Sequence, residues 1–352
     1  MSALPPGSTI GIVGGGQLGR MLAIAAARLG YRAHIYDPAE APCAAEVAGQ
    51  FTRGAYDDFA TLRAFAAQCD VVTYEFENLP AAQLDALGDD LVPSTRSLEI
   101  SQDRAVEKRF IEEAGGRPAA WVTVDGEDEA VSAAEKLGLP FVLKTRRMGY
   151  DGKGQRWVRE AGEAAATFRE LGAPCVAEQG IAFDAEFSVI VARGADGECA
   201  TYDSPRNEHR GGILHLSSLP AGPAVERHAD EARRVAIGIA EALGHVGVLT
   251  VEFFATDAGP LVNEFAPRVH NSGHWTLDGA ETSQFEQHLR CILGLPLGST
   301  RRLADTVSME NLIGADVERF DALVAEPGAI VHLYGKGDAR PGRKMGHVTR
   351  VG

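Results

Sequence analysis

The sequence predicts a parallel α/β unit at the N-terminus joined to a larger α+β body, and three observations carry that reading. The first hundred residues alternate apolar strands with amphipathic helices, as in STIGIVGGGQLGRMLAIAAARLGYRAHIYDP. A helical segment then stops at Gly115-Gly116 with Pro118 beyond it, the mark of a boundary. From Glu186 to Pro267 short β-rich runs punctuated by glycine and proline imply a largely antiparallel sheet. At 352 residues the chain has room for two or three cored domains, placed at 1–99, 100–298 with a small lobe at about 118–182, and 299–352.

In the first unit a strand meets Gly14, Gly16 and Gly19, a helix runs to Gly30, and a second strand ends at Asp37. CDVVTYEFENLP adds a buried strand, so an open parallel sheet with ligands at the carboxyl ends of its strands is expected. STRSLEISQDRAVEKRFIEEAGGRP reads as one helix. From Trp121 onward, WVTV, the helix DEAVSAAEKLG, the strand PFVLKTR, a glycine-rich loop, QRWVR, a further helix and PCVAEQGI build the small lobe. After the helix TSQFEQHLRCILG, the segment from Ser299 is β-rich.

A net charge of −15 argues against a general nucleic-acid binder, so anionic ligands must be met by local cations and backbone N–H groups. Five cysteines without a C-x-x-C pair suit reduced thiols in a cytosol, most of them buried. No signal-peptide pattern and no bilayer-length apolar run are present, which leads us to expect a cytoplasmic protein without membrane contact.

The most informative segment is VLTVEFFATDAGPLVNEFAPRVHNSGHWT. Its arms, Val248 to Phe254 and Pro260 to Phe265, flank the turn formers Asp257-Ala258-Gly259, and pairing symmetric about Ala258 sets Glu252 opposite Glu264. Facing carboxylates about 5 Å apart call for a proton or a cation between them. A hard divalent metal shared with substrate phosphates meets that need; a solvent-facing glutamate or one beside an arginine is the alternative.

Other motifs are less specific by themselves. Gly14, Gly16 and Gly19 form G-x-G-x-x-G, which suits a dinucleotide or a tight turn needed only for helix packing, and Gln17 offers an amide to a ligand. Met148 to Gln155 is no Walker A loop, yet its glycines and Lys153 suit a mobile flap over phosphates, with Lys144 on the strand before it. Glu178, Gln179, Gly180 and Ile181 form a strand-to-connection junction ahead of Glu186, able to read an adenine edge and ribose hydroxyls. Asn207, His209 and Arg210 fall in a glycine-rich loop, either functional or solvated. Arg268, His270, Asn271, Ser272 and His274 suit a substrate-gripping loop; His270 and His274 have zinc-pair spacing, but Pro267 and Asn-Ser-Gly make a helix there, and so zinc, a poor reading. Arg340 to His347 is a basic turn fit for a phosphate or carboxylate, or a solvated loop.

In chain order, GGGQLGRML, TYEFEN, QDRAVEK, GYDGKGQ, EQGI, NEFAPRVHNSGHWT and PGRKMGH resemble the ATP-grasp enzymes, and within them the 5-(carboxyamino)imidazole ribonucleotide synthases of purine biosynthesis. The resemblance implies a Rossmann-like N-terminal domain, an ATP lid lobe, a larger antiparallel-sheet domain and a homodimer. It implies that ATP and bicarbonate give carboxyphosphate, whose carboxyl group reaches the amine of aminoimidazole ribonucleotide. By position Arg104, Lys144, the flap residues Gly149, Tyr150, Asp151, Gly152, Lys153, Gly154 and Gln155, the junction Glu178 to Ile181, Glu186, His209, Asn263 and Glu264 would hold ATP. Glu252 and Glu264 would carry Mg²⁺. Gly16, Gln17, Leu18, Glu75, Asn271, Ser272 and Arg343 would bind the ribonucleotide. Lys144, Tyr150, Asp151, Arg268, His274 and Lys344 would serve the reaction. One departure stands out: Ala266 takes the place of the asparagine in the Glu-x-Asn motif common at such metal sites.

Overall fold

The computed structural model describes residues 3–149 and 152–352, so the expectations for Tyr150 and Asp151 lie outside the described residues. The first unit is a four-stranded sheet of β1 (Thr9–Val13), β2 (Arg32–Asp37), β3 (Gln50–Arg53) and β4 (Val71–Tyr74), ordered β3-β2-β1-β4 with every pair parallel. Helix Gln17–Arg28 buries Leu18, Met21, Leu22, Ala25 and Ala26, the stripe its 3.6-residue period dictates.

The single helix expected before Gly115 is two, Thr95–Ser101 and Arg104–Glu113. Asp103 ends the first and caps the second, accepting from the Ala105 and Val106 N–H groups at 3.0 and 3.4 Å. The Gln102 amide is drawn away to the Glu77 and Leu79 carbonyls. The break puts Arg104 in the first helical turn, where it can reach the site.

The small lobe is an antiparallel sheet of β5 (Trp121–Val124), β6 (Phe141–Thr145), β7 (Gln155–Val158) and β8 (Cys175–Gln179), ordered β5-β8-β6-β7 around its own apolar core. The body is one nine-stranded sheet containing β9 (Ala185–Arg193), β10 (Cys199–Thr201), β11 (Arg206–Arg210), β12 (Ile213–Leu219), β13 (Gly247–Thr256), β14 (Gly259–Ala266), β15 (Val307–Ile313), β16 (Ala329–Leu333) and β17 (Lys344–Val351). Its order is β14-β13-β9-β11-β12-β15-β17-β16, with β10 paired to β9. The segment from Ser299 therefore extends the central sheet, and this delivers Lys344 to the same face as the hairpin. Asn207, His209 and Arg210 lie on β11, not in a loop. Gly211 and Gly212, both at positive φ, make a two-residue hairpin turn that keeps all three on the strand.

Buried histidines join the N-terminal unit to the body. His288 Nδ1 accepts the Val248 N–H at 3.1 Å, and its Nε2 meets Thr73 Oγ1 on β4 at 2.9 Å. His245 meets Ser97 Oγ at 3.0 Å and the Val248 carbonyl at 3.1 Å. Burial lowers both rings, His245 to about 4 and His288 to about 3. Each ring stays neutral in the fold while an unfolded histidine takes a proton below about 6.5, so the unfolded state binds more protons and stability is lost as pH is lowered. Urea midpoints should drop as pH falls from about 6.5 to about 5, before most carboxylates titrate. His288→Gln should flatten that slope, and an unchanged slope would remove His288 as its source.

Candidate active site

The hairpin forms, and Glu252 does face Glu264, but two offsets cancel to put them there. The turn is the two-residue Asp257-Ala258, so Thr256 pairs Gly259 and Phe253 pairs Val262; a β-bulge then shifts the register to Glu252↔Glu264. Asn263 is the extra residue. Such bulges re-aim side chains beside functional sites. Here the Asn263 amide oxygen accepts from Lys144 Nζ at 3.4 Å and its carbonyl from Lys108 Nζ at 3.4 Å.

Two carboxylates about 5 Å apart repel by about 3 kcal/mol at an effective dielectric near 20. The protein gives each carboxylate its own nitrogen partner. Arg104 Nη1 lies 2.6 Å from Glu264 Oε2, and His270 Nε2 lies 3.1 Å from Glu252 Oε1. Burial works against the charge on Glu264, yet Arg104 and Lys144 outweigh it and hold the carboxyl below its ordinary range. Behind them Glu178 takes Lys144 at 2.9 Å and Lys108 at 3.1 Å, and the two lysines overcome burial to keep it ionised as well. Glu107, accepting the Phe265 N–H at 2.8 Å, goes the other way: burial and then the charge on Glu264 push it up. His209 Nδ1 stands 2.5 Å from Glu186 Oε2; burial opposes its proton, and Glu186 more than restores it.

All of these groups except Lys108 line one cavity of about 850 Å³. Of the expected residues it collects Gln17, Leu18 and Glu75 from the first unit, and Gly149, Gly152, Lys153 and Gln155 from the flap. Arg104, Lys144, Glu178, Gln179, Ile181, Glu186, His209, Glu252, Asn263, Glu264, Arg268, Asn271 and Lys344 complete the set. Gly16, Gly154, Gly180, Ser272, His274 and Arg343 fall outside the lining. Gly154, at positive φ, packs under the flap with its Cβ position 2.5 Å from Thr145 Oγ1, and Gly180 donates to the Pro140 carbonyl at 2.9 Å. Arg343 donates to the Asp338 carbonyl at 3.0 Å. His274 is wholly buried against Phe285 and Tyr334, so of these two neighbouring histidines it is His270 that lines the cavity. The flap closes on the opposite wall, where a Cβ on Gly152 would stand 3.2 Å from Gly212 Cα. Among the described residues no group of three or more His, Cys, Asp or Glu side chains could hold a metal. Glu252 and Glu264 fit the alternative of a hard cation whose other ligands come from phosphates.

Family models match the chain in three pieces: a ribonucleotide synthetase preATP-grasp domain over residues 8–102, an ATP-grasp domain over 109–285, and a phosphoribosylaminoimidazole carboxylase C-terminal domain over 307–352. An N5-carboxyaminoimidazole ribonucleotide synthase from Brucella melitensis is 49% identical over 99% of this chain and 98% of its own. The chain belongs to the N5-carboxyaminoimidazole ribonucleotide synthase family of ATP-grasp enzymes. The synthetase structure from Thermus thermophilus is 44% identical with a TM-score of 0.91, covering 97% of this chain and 93% of that one. A synthase structure from Aspergillus clavatus, in complex with ADP and 5-aminoimidazole ribonucleotide, is 30% identical with a TM-score of 0.92, covering 98% and 94%.

Sequence reasoning missed several residues of this ATP-grasp site. Lys108 stands one turn beyond Arg104, and that i, i+4 spacing on a capped helix was the available signal. Glu77 holds Arg268 Nε at 2.5 Å, and Lys336 sits close enough to Glu75 and Lys344 to feel both charges. The glycine turn is the main surprise. Glu75, just beyond β4, takes the Gly16 and Gly19 N–H groups at 2.5 and 2.7 Å, and Asp37 takes the Gly15 N–H at 2.7 Å. The chain's own carboxylates fill the cradle a pyrophosphate would need. Titration with NAD or NADP should give no saturable binding, and Gly14→Ala, whose Cβ would lie 2.4 Å from Glu75 Cγ at φ +108°, should cost about 2 kcal/mol or more in urea unfolding. Micromolar dinucleotide binding would refute the occupied-cradle reading.

Proposed function

We propose that this ATP-grasp ligase carboxylates the exocyclic amine of 5-aminoimidazole ribonucleotide in purine biosynthesis, using ATP and bicarbonate and releasing ADP and phosphate. The observation that carries the reading is continuity: one cavity joins the flap and the glutamate hairpin to Gln17, Glu75 and Lys344. The first group suits a nucleoside triphosphate; the second suits an anionic ribonucleotide.

Bicarbonate is a poor electrophile and needs phosphorylation to carboxyphosphate. Arg104 and Lys144 would face the transferred phosphoryl group, whose transition state is stabilised chiefly by position and charge. Glu252 and Glu264 would hold Mg²⁺, whose charge would offset that of the phosphates. Glu178 fixes Lys144 in place, and the Asn263 bulge turns its amide toward the same ammonium. Carboxyphosphate reacts with water, so the flap that meets Gly211 and Gly212 would exclude solvent before transfer. On the ribonucleotide side Glu77 orients Arg268, while Asn271 and Asn311 exchange two amide hydrogen bonds at 2.9 and 2.8 Å, fixing the Asn271 carboxamide at the cavity wall. Tyr150 and Asp151, on the flap, would serve the reaction as the family resemblance suggests. The same resemblance supports a cytoplasmic homodimer; among the described residues no helix is long and apolar enough to cross a membrane.

The deciding measurement is ADP release with ATP, Mg²⁺ and bicarbonate, with and without aminoimidazole ribonucleotide: strong stimulation by the acceptor is expected, and its absence would sink the proposal. Glu264→Gln should lower turnover about 10²-fold or more while the circular-dichroism spectrum stays that of the folded protein, because it removes one charge from the cation-binding pair. Unchanged activity at limiting Mg²⁺ would overturn the metal role. Lys344→Met should weaken acceptor binding or transfer by about 1.5 to 3 kcal/mol with ATP affinity little changed. Normal acceptor affinity and tight coupling of product to ADP would place Lys344 outside the reaction.

A further inference from the structure

A polar stripe crosses the central sheet beneath the site. Glu264, Glu252 and Ser188 stand opposite one another on β14, β13 and β9, and Asn207 stands opposite Ser217 on β11 and β12. Ser188, Asn207, Ser217 and Ser272 are buried, where hydroxyls and amides need partners. They find them in a single row. Ser217 Oγ meets Asn207 Oδ1 at 2.8 Å, Asn207 Nδ2 meets Ser188 Oγ at 3.1 Å, and Ser188 Oγ meets Ser272 Oγ at 2.7 Å. Ser272 Oγ then meets His270 Nδ1 at 2.8 Å, and the far nitrogen of that ring, Nε2, lies 3.1 Å from Glu252 Oε1.

The direction of the row can be read from its His270 end. The backbone N–H of Ser272 can only donate, and it points at His270 Nδ1 from 3.3 Å, so that nitrogen carries no proton. The Ser272 hydroxyl must then donate to it too. Ser188 consequently donates to Ser272, and Asn207 must turn its NH₂ to Ser188 and its oxygen to Ser217. The ring's remaining proton is on Nε2, facing Glu252.

We propose that Ser217, Asn207, Ser188 and Ser272 are positioning residues that hold His270 in its Nε2–H form, so that the imidazole donates to Glu252 and fixes that carboxylate for the cation. The consequence for the cation rests on the proposed function; the tautomer does not. A ring free to exchange tautomers would set a nitrogen lone pair against the carboxylate for part of the time. Hydrogen-bonding partners behind a metal ligand change metal affinity about 10- to 100-fold. Ser272, expected to bind substrate, acts here through His270.

The test uses the full chain labelled with ¹⁵N-histidine, with His270 signals assigned by their loss in His270→Gln. Wild type should show an unprotonated Nδ1 and a protonated Nε2. Ser188→Ala and Ser272→Ala should move both shifts toward averaged values, whereas Ser188→Thr, which keeps the hydroxyl, should not. In Ser188→Ala the Mg²⁺ concentration for half-maximal acceptor-stimulated ADP release should rise about 10-fold, with a much smaller fall in kcat at saturating Mg²⁺. A protonated Nδ1 in wild type, or a tautomer that neither alanine variant moves, overturns the proposal. A shifted tautomer with unchanged Mg²⁺ dependence overturns the link to Glu252. If wild type shows no acceptor-stimulated ADP release, the functional reading fails while the tautomer result stands on its own.

Discussion

Everything at the cavity depends on holding carboxylates at close quarters. Glu252 and Glu264 face each other across a ladder, and Glu178 lies buried behind them, yet each has a cation or an imidazole at hydrogen-bond distance. The compensation is drawn from separate parts of the chain: Arg104 and Lys108 from one helix, Lys144 from the small lobe, His270 from the segment after the hairpin. Charge balance thus ties the lobe to the body. Breaking one such buried pair strands the other charge, which costs more than the pair contributes.

The same arrangement suits a site that must accept anions and a cation in turn. Arg104 and Lys144 are already turned toward carboxylates, so the cavity is organised before any ligand enters. Incoming phosphates would compete with Glu264 and Glu178 for these cations, and a divalent ion would relieve Glu264 of its need for Arg104. Such exchange of partners uses groups held in place, with little cost of reordering.

Legibility in the sequence followed the range of the interactions. The parallel alternation, the small lobe and the hairpin rest on local periodicity and turn chemistry, and they formed where expected. The facing glutamates were placed correctly through an assumed turn one residue off and an unseen bulge at Asn263, two errors of equal size and opposite sign. The break at Asp103 was overlooked because helix formers flank it; its carboxylate is held by Arg146 at 2.9 Å, a partner 43 residues on. Glu75 in the glycine cradle lies 59 residues from Gly16, and no spacing rule reaches that far. Of the two histidines in the HNSGH run, only the fold could tell that His270 meets the cavity and His274 the core.

The central sheet also has a temporal meaning. Because β17 lies between β15 and β16, and β15 covers the edge of β12, the strands from Val307 onward are the last of the sheet to leave a ribosome. Until they do, β12 offers an open edge, the kind of surface on which unfinished chains aggregate. Lys344 arrives with them. A nascent chain can build the glycine turn, the small lobe and the glutamate hairpin before Lys344 is made, so a product cut short ahead of Val307 would carry most of the cavity without that cation.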